Sequence, residues 1–239
     1  MRGVNAQGRG VGVVIRAPLV DLGRDPRWGR MEESSGEDPY LVSKLSEGYI
    51  AGLHGGDPNY LMAASTLKHW LANNNETMRN TSSSDFDDRN LREYYAVPFE
   101  HAIRVSKAQG IMEAYNKING EPSATTSLLK SLVMGEWGFD GVLSTDAWVP
   151  NTLVSDQHAY PDLPSAVAAI VKAGTPLVLQ DQAGFRDNVK NAYTTGKMTV
   201  EEMDASLRGN LRVRFRVGDL DPPDRVPGKK ILGTEALWT

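Results

Sequence analysis

The sequence predicts an α/β protein built on a parallel sheet with helices outside it, either a (β/α)8 barrel or an open doubly wound sheet. Short apolar runs typical of buried strands alternate about five times with helical patterns. No Gly-x-Gly-x-x-Gly or Walker-type loop follows any run, which disfavours nucleotide-binding folds. A complete (β/α)8 barrel needs about 250 residues and eight strands. Five runs therefore indicate either uncounted strands or part of a barrel.

The composition is ordinary for a folded protein and excludes several classes of function. The 239 residues suffice for one large domain or two small ones, and the net charge of −4 favours neither nucleic acid nor an acidic membrane as partner. There are no cysteines, which excludes disulfides and thiolate metal sites. No apolar run reaches about 18 residues, so we expect no membrane span. The four histidines lack metal-site spacing, so we expect no metal and no other cofactor.

The first predicted strand leads through an Arg-rich loop into a helix. Val11 to Ile15 form a β-branched run typical of a strand. The loop from Val20 to Arg30 is dense in Gly, Pro and Arg. Asp38 as N-cap and Pro39 in the first turn then begin a helix. Its apolar residues at helical spacing are Leu41, Leu45 and Tyr49.

The second and third predicted strands enclose a polar loop and a helix. Leu61 to Leu67 form the second strand, which runs into Lys68-His69-Trp70, and Gly110 to Tyr115 form the third. The polar stretch from Asn73 to Asp88 is too long for a simple connector and indicates a functional loop. The helix after it should bend at Pro98. Its four-residue apolar repeat consists of Leu91, Tyr95, Phe99 and Ile103.

The second half of the chain continues the alternation. A turn at Asn119 to Pro122 and a helix around Ser127 to Met134 precede the fourth strand, at Val142 and Leu143. Ala166 to Ala173 form a short helix, and Pro176 to Leu179 form the fifth strand. A capping box opens the last helix, because Thr and Glu stand three residues apart before an apolar repeat. The residues of this box and repeat are Thr199, Glu202, Met203, Leu207 and Leu211.

Asp146 is the leading catalytic candidate. It comes just after the fourth strand, and in a parallel α/β barrel the carboxyl ends of the strands carry the active site. The alternative is that Asp146 only caps the helix that follows. Pro150 and Asn151 come soon after it, so no clean helix is expected there and the capping alternative is weakened.

Charged and aromatic residues follow the other predicted strands in the same way. Arg, Lys and His donors suit the vicinal hydroxyls of a sugar, and Trp or Tyr suits its apolar face, so these clusters predict sugar binding beside one carboxylate. The alternatives are surface positions for Lys68 and His69, a structural salt-bridge loop for Arg24 to Arg30, and a core or rim position for Tyr115. The clustered residues are Arg24, Asp25, Arg27, Trp28, Arg30, Lys68, His69, Trp70, Tyr115, Asn116 and Trp148.

Five motifs follow one another along the chain. They are Gly23-Arg-Asp-Pro-Arg-Trp-Gly-Arg30 with Gly36-Glu-Asp-Pro39, Lys68-His69 with Asn73-Asn74, Ala114-Tyr-Asn-Lys-Ile-Asn-Gly120, Gly135-Glu-Trp-Gly-Phe-Asp-Gly141, and Ser144-Thr-Asp146. In this order they resemble glycoside hydrolase family 3, which includes β-glucosidases and β-xylosidases. The resemblance runs from about residue 1 to about residue 235. It implies a (β/α)8 TIM-type barrel whose first strands are missing from this chain.

The resemblance also implies roles for individual residues. In the family, the Asp that ends the Phe-Asp-Gly strand is the nucleophile of a retaining mechanism, which implies that role for Asp146. The matching Arg and Lys-His pair hold the sugar hydroxyls in subsite −1, implying Arg30, Lys68 and His69. The matching Tyr lies beside the nucleophile, implying Tyr115.

Several departures from the family pattern affect the predicted site. Many members have Trp directly after the nucleophile, whereas here Ala147 intervenes, and we take Trp148 as the substrate-binding residue. Single-domain members carry a His-Asp acid/base dyad in a Pro-Gly-His-Gly-type sequence, which Trp70 to Asn75 do not match. Two-domain members take the acid/base Glu from a second α/β sandwich domain. We therefore predict a partial barrel catalytic domain at 1–218 and a linker towards such a domain at 219–239.

The implied activity is that of a retaining β-glycosidase, first of all a β-glucosidase, acting on a β-linked oligosaccharide or an aryl β-glycoside. Such an enzyme needs two carboxyl groups about 5–5.5 Å apart. Local candidates for the second are Glu32, Glu33, Glu76 and Glu113, of which Glu76 is the best placed but is expected to be structural. The alternative is a catalytically incomplete sugar-binding or structural fragment of the same fold.

Two further expectations concern assembly and location. An incomplete barrel exposes sheet edges and an apolar interior, so we expect a homo-oligomer or a complementing chain. The family suggests a periplasmic or secreted location, although the first eight residues lack the apolar core of a signal peptide.

Overall fold

A parallel sheet forms the centre of the computed structural model, which describes residues 12–180 and 184–230. Its four strands are adjacent in chain order, and a parallel bridge from Ser144 to Leu177 adds the predicted fifth segment. This confirms the predicted α/β class with a parallel sheet. Within the described residues, no strand pairs with the outer side of the first strand or of the fifth segment. The four strands are β1 (Val14–Ile15), β2 (Ala64–Trp70), β4 (Gly110–Glu113) and β7 (Val142–Ser144).

A second, small sheet lies beyond the carboxyl ends of β2 and β4. It consists of β3 (Ser83–Ser84), β5 (Lys117–Ile118) and β6 (Glu121–Pro122), with β3 parallel to β5 and β5 antiparallel to β6. The predicted turn joins β5 to β6, and both of its central residues, Asn119 and Gly120, have positive φ angles. Asn-Gly at these positions is typical of a two-residue hairpin turn.

The strand boundaries differ from the predicted ones for identifiable reasons. The part of the first strand at Val11 lies outside the described residues. β2 begins at Ala64 rather than Leu61, because the main-chain N–H groups of residues 61–63 donate to carbonyls of two helices instead of a strand. Their acceptors are Arg216, His54 and Leu53.

The first helix, α1 (Pro39–His54), begins as predicted but buries a different face. The N–H of Leu41 donates to Asp38 Oδ1 at 2.7 Å, which confirms the N-cap. The apolar repeat of Leu41, Leu45 and Tyr49 is about half exposed. The buried face consists of Val42, Ser43, Ser46 and Ile50.

The helix after β3 is interrupted near the predicted bend. It consists of α2 (Asp88–Asn90), a π-helical turn (Leu91–Tyr95) and α3 (Val97–Arg104). Pro98 stands in the first turn of α3, where its missing N–H costs no hydrogen bond. Leu91, Phe99 and Ile103 of the predicted repeat are buried.

The remaining helices cover the second half of the sheet. A π-helical segment (Leu129–Glu136) precedes β7, and α4 (Val149–Asn151) follows it and continues as a π-helical turn (Thr152–Asp156). The other three helices are α5 (Leu163–Ala173), α6 (Phe185–Thr194) and α7 (Val200–Arg216). Short 3-10 turns lie at Met31–Glu33, Ser123–Thr125, Pro223–Arg225 and Pro227–Lys230. No helix in residues 12–180 or 184–230 has the length and apolar character needed to cross a bilayer.

The capping box of α7 is present, with the Thr199 and Glu202 side chains each bonded to the other's main-chain N–H. The helix approaches β7 through Gly209, where a Cβ atom would stand 2.0 Å from the carbonyl oxygen of Gly141. Only glycine permits so close an approach of two backbones. Leu207 and Leu211 consequently lie on the outer side of the helix, about 43% exposed.

The largest apolar cluster lies between β2, β4 and the helices α1 and α3. Trp70, at the end of β2, packs edge-on against Phe99 at 5.2 Å and against Trp137 at 5.6 Å. Trp70 is fully buried, and aromatic pairs of this geometry add about 0.5–1.5 kcal/mol beyond area burial. The cluster therefore anchors the end of the strand that carries Lys68 and His69.

Candidate active site

A cleft of about 360 Å³ opens at the carboxyl ends of β1, β2, β4 and β7. It brings together five residues that the sequence predicted for the site: Arg30, Lys68, His69, Tyr115 and Asp146. Its other lining residues are Arg16, Arg79 and Met112. The described lining thus combines four Arg or Lys side chains with one carboxylate.

Asp146 is held at the end of β7 by two hydrogen bonds to neighbouring backbone groups. Its N–H donates to the carbonyl of Glu113 at 3.2 Å, and its Oδ1 accepts the N–H of Ala147 at 2.7 Å. The side chain remains 17% exposed towards the cleft. The capping alternative is wrong: Trp148, in the left-handed region at φ 64°, occupies the N-cap of α4, and no side chain caps that helix.

A bulge in β2 presents two consecutive side chains to the same cleft. Lys68 pairs with Met112 and Trp70 pairs with Glu113, so His69 has no partner residue in β4. In a regular strand consecutive side chains point to opposite faces, and a bulge changes that direction. Lys68 and His69 accordingly both line the cleft.

Glu33 holds two of the four cationic side chains of the cleft lining. Its Oε2 lies 2.6 Å from Lys68 Nζ, and its Oε1 lies 2.8 Å from the guanidinium of Arg30. Burial alone would raise the pKa of Glu33, but the hydrogen bonds from Lys68 and Arg30 outweigh it and lower that pKa. The structural salt-bridge interpretation of the Arg-rich loop is therefore correct for Arg30, which also lines the cleft.

His69 is surrounded by charged groups and is 2% exposed. Its Nδ1 lies 3.4 Å from Asp21 Oδ2, and its Nε2 lies 3.2 Å from Arg30 Nη1 and 3.6 Å from Asp146 Oδ2. The surface alternative for His69 is thus wrong. The imidazole lies between a buried carboxylate and the candidate nucleophile.

Tyr115 lies beside Asp146, as predicted. Burial and the neighbouring Asp146 carboxylate raise the pKa of Tyr115 to about 12, so its hydroxyl stays a donor at neutral pH. The Arg79 guanidinium covers the ring at 4.5 Å from its centroid. Such a contact stabilises by about 0.5–2 kcal/mol. Tyr115 can therefore donate a hydrogen bond to the carboxylate while Arg79 keeps the ring in place.

Trp148 and the local carboxylates lie apart from this group. Trp148 is 48% exposed and is not among the residues that line the cleft. Both oxygens of Glu76 are occupied, since Oε1 accepts from Trp28 Nε1 at 3.0 Å and Oε2 from Arg79 at 2.8 Å. Glu113 is fully buried, and burial raises its pKa well above the usual range. Trp148, Glu76 and Glu113 are all absent from the described cleft lining.

A larger cavity, of about 740 Å³, lies at the opposite end of the sheet. Its lining includes Leu61, Gln109 and Asp140, which precede β2, β4 and β7. Catalytic residues of parallel barrels come from the carboxyl ends of the strands, so we assign the chemistry to the smaller cleft. Among residues 12–180 and 184–230 there is no cluster of three His, Asp or Glu side chains that could hold a metal ion.

A sequence model of the Glycosyl hydrolase family 3 N terminal domain matches residues 7–213, most of the chain. The chain belongs to glycoside hydrolase family 3. β-Glucosidase B of Emericella nidulans is 38% identical over 92% of this chain and 24% of its own length. β-D-Xylosidase 3 of Arabidopsis thaliana is 31% identical over 93% of this chain and 29% of its own length. The chain thus spans about a quarter to a third of the length of these relatives.

Solved structures of the family share the fold. An exo-β-xylosidase in complex with a xylobiose aziridine activity-based probe matches with a TM-score of 0.90 and 26% identity, over 99% of this chain and 31% of that one. A β-glucosidase from Listeria innocua in complex with glucose matches with a TM-score of 0.80 and 27% identity, over 95% of this chain and 31% of that one. The architecture described above is therefore that of a family 3 barrel.

Three residues of this family 3 site were missed by the sequence reasoning. Asp21 could have been found, because it follows the apolar pair Leu19-Val20 after the first strand, much as Asp146 follows the fourth. Arg79 lies inside the long polar loop, where no periodicity singles it out. Arg16 stands beside the first strand and carried no pattern of its own.

Proposed function

We propose that the chain carries the glycosyl-binding and nucleophilic half of a retaining β-glycosidase, first of all a β-glucosidase. The observation that supports this is the group at the cleft, where the Asp146 carboxylate faces Arg30, Lys68, His69 and Tyr115. The family membership and the names of the relatives, β-glucosidases and β-xylosidases, support the same class of reaction. The proposed substrate is a β-linked oligosaccharide or an aryl β-glycoside.

In the proposed reaction, Asp146 attacks the anomeric carbon, and the bond to the leaving-group oxygen breaks as the glycosyl-enzyme forms. The donors of Lys68 and Arg30 bind the sugar hydroxyls beside the His69 imidazole, while the Tyr115 hydroxyl faces the nucleophile. A water molecule then hydrolyses the ester and regenerates the carboxylate. Each sugar hydroxyl held by a charged donor contributes about 1.5–3 kcal/mol of binding.

A second candidate is a sugar-binding fragment that lacks general acid catalysis. The specific observation in its favour is that Asp146 is the one carboxylate in the described cleft lining, whereas both oxygens of Glu76 already accept a hydrogen bond and Glu113 is buried. General acid catalysis contributes about 10²–10⁴-fold. Such a chain would form the glycosyl-enzyme only from substrates whose leaving group needs no proton.

Intact-protein mass spectrometry after incubation with 2,4-dinitrophenyl 2-deoxy-2-fluoro-β-glucoside tests the proposal. Dinitrophenolate leaves without protonation, and the fluorine slows hydrolysis of the intermediate. We expect one added fluoroglucosyl mass that maps to Asp146 and is absent from Asp146→Asn. Trp148→Phe serves as a control that should still be labelled. A folded chain that takes up no label would overturn the nucleophile assignment, whereas a labelled chain that does not hydrolyse alkyl β-glucosides would favour the fragment without general acid catalysis.

A further inference from the structure

Asp21 is a buried carboxylate that does not line the cleft. Its side chain is 1% exposed, and the described part of the chain places no Lys or Arg within ion-pair distance of it. Instead, its Oδ2 accepts the main-chain N–H of His69 at 2.9 Å, and its Oδ1 accepts the main-chain N–H of Asn73 at 3.2 Å. A carboxylate buried without a cation is costly unless its hydrogen bonds are made. Both of these bonds lead to the end of β2, which carries His69.

The contacts of the His69 ring determine which nitrogen carries the proton. Arg30 Nη1, at 3.2 Å from Nε2, can only donate, because a guanidinium has no acceptor. Nε2 must therefore offer its lone pair, and the 3.6 Å to Asp146 Oδ2 is too long for a hydrogen bond. The proton of a neutral ring then lies on Nδ1, whose acceptor is Asp21 Oδ2 at 3.4 Å.

We propose that Asp21 is a positioning residue that holds His69 as the neutral imidazole protonated at Nδ1, with the Nε2 lone pair turned towards Arg30. This inference rests on the proposed function, because His69 and Arg30 are the groups that would bind the sugar. It adds a residue that touches neither sugar nor nucleophile and acts through the imidazole.

The arrangement has two consequences for the cleft. First, the Arg30 guanidinium is held from two sides, by Glu33 Oε1 at 2.8 Å and by His69 Nε2 at 3.2 Å, so its remaining N–H groups keep a fixed direction. Second, a neutral imidazole places no positive charge next to Asp146. His69 therefore does not weaken the Asp146 carboxylate as a nucleophile by forming an ion pair with it.

The wild-type protein tests the protonation state directly. Two-bond ¹H–¹⁵N correlation spectra at pH 7 of protein labelled with ¹⁵N-histidine distinguish protonated from unprotonated ring nitrogens. The chain has four histidines, and the His69 signals are assigned by their loss in His69→Gln. We expect Nδ1 to be protonated and Nε2 to be unprotonated. A ring protonated at Nε2, or at both nitrogens, would overturn the proposal.

Asp21→Asn tests the role of the carboxylate. The amide of Asn offers one neutral oxygen where the carboxylate offers two charged ones, so Nδ1 would face either the N–H2 group or a weaker acceptor. In both cases we expect the His69 proton to shift from Nδ1 towards Nε2. Ser84→Ala is the matched control, because Ser84 Oγ donates to the carbonyl of Ala72 at 2.8 Å in the same loop without touching His69. Its His69 signals should not change. An unchanged Nδ1-protonated ring in folded Asp21→Asn would show that Asp21 does not set the tautomer.

Kinetics separate this inference from the proposed function. For Asp21→Asn we expect the rate of dinitrophenolate release to fall at least about tenfold, since a small misplacement of the groups that position a substrate has large effects on rate. If Asp21→Asn does not fold, the wild-type spectrum decides. A ring protonated at Nδ1 in a chain that takes up no fluoroglucosyl label would leave the inference standing and overturn the proposed function. Labelling of Asp146 together with a His69 ring protonated at Nε2 would support the proposed function and overturn the inference about Asp21.

Discussion

At the scale of single residues, three buried or half-buried carboxyl groups with different environments surround the end of β4. Asp146 faces the cleft, Glu33 is neutralised by two cations, and Glu113 is fully buried and accepts a hydrogen bond from Thr175 Oγ1 at 2.5 Å. A carboxyl group without a cation in an apolar surrounding favours its protonated form. The three residues should therefore respond to pH in different ways.

Glu113→Gln is expected to remove a pH-dependent loss of stability. Burial raises the pKa of Glu113 well above the model-peptide value of 4.5, so above pH 4.5 the unfolded chain releases a proton that the folded chain keeps. Wild-type stability should fall relative to the variant by about 1.4 kcal/mol per pH unit from pH 4.5 up to the folded pKa. Urea unfolding of both proteins between pH 4 and 8 measures this. Parallel pH curves would contradict it.

Glu33→Gln should show the opposite pH dependence. The lowered pKa of Glu33 means that its ion pairs stabilise the protein above about pH 4.5, and this stabilisation is lost as the pH falls through the folded pKa. We expect the variant to be about 1–3 kcal/mol less stable at pH 7 and to approach wild type at the lowest pH.

Glu32→Gln is the matched control for this change, because Glu32 is exposed in the same short turn and should alter stability by less than about 0.5 kcal/mol. Urea unfolding at pH 7 and pH 3 compares the three proteins. Equal losses of unfolding free energy in Glu33→Gln and Glu32→Gln would show that the ion pairs of Glu33 with Lys68 and Arg30 do not stabilise the protein.

Most of the site residues that the sequence predicted stand at or just after the end of a strand. Arg30, Lys68, His69, Tyr115 and Asp146 follow that rule or belong to a distinctive motif, and all five meet at the cleft. Asp21 follows an apolar pair and could have been chosen in this way, whereas Arg79 could not, and the partners of both residues lie in distant segments of the chain. Arg79 touches a residue 36 positions away, Tyr115, and Asp21 one 48 positions away, His69.

At the scale of elements, the caps and turns were predictable from local chemistry, and the buried faces of helices were not. Asp38 and Thr199 cap their helices as expected. The apolar repeats in α1 and α7 suggested inward faces, yet Leu45 and Leu211 are about half exposed, at 50% and 43%. In α7 the close approach of Gly209 to β7 decides which side is buried, and apolar periodicity does not record such a glycine contact.

Gly209→Ala is expected to destabilise the protein by more than about 3 kcal/mol. The added Cβ would stand 2.0 Å from a backbone oxygen, so α7 would have to move away from the sheet. Gly48→Ala in α1 is the matched control, since a Cβ there would meet nothing within 4 Å. It should stabilise by about 0.5–1 kcal/mol through helix propensity. Thermal unfolding of both variants measures the difference, and a stable Gly209→Ala would contradict the packing of α7.

At the scale of the whole molecule, the parallel order of the sheet followed from the alternation of strands and helices along the chain. The tail predicted to be a linker is partly packed on the body: Val226 is fully buried, and a Cβ at Gly218 would touch it. The predicted continuation at 231–239 lies outside the described residues. Alternation of elements depends on local sequence, whereas docking of a short Pro-rich segment depends on a cavity formed by other parts of the chain.

Self-association of the chain, proposed from the expected sheet edges, also has a candidate surface in the outer side of α1. Tyr40, Leu41, Leu45 and Tyr49 are 48–71% exposed there, and contiguous exposed apolar side chains favour association. We expect light scattering to show a mass above that of one chain, and Leu41→Lys with Leu45→Lys to reduce it.

The control for this experiment places the same two charges elsewhere, as Asn191→Lys with Thr194→Lys on the exposed side of α6. These changes should leave the measured mass unchanged. A wild-type chain that stays monomeric at high concentration would contradict the proposal.

The bulge in β2 limits how this site can change by insertion or deletion. A regular strand could direct only one of Lys68 and His69 into the cleft, because neighbouring side chains alternate between faces. The residue between Lys68 and Trp70 is His69 itself, so a deletion that restores regular pairing with β4 would remove one of these two side chains from the cleft. The proposed sugar site is therefore open to substitutions at this strand and closed to changes in the length of the strand.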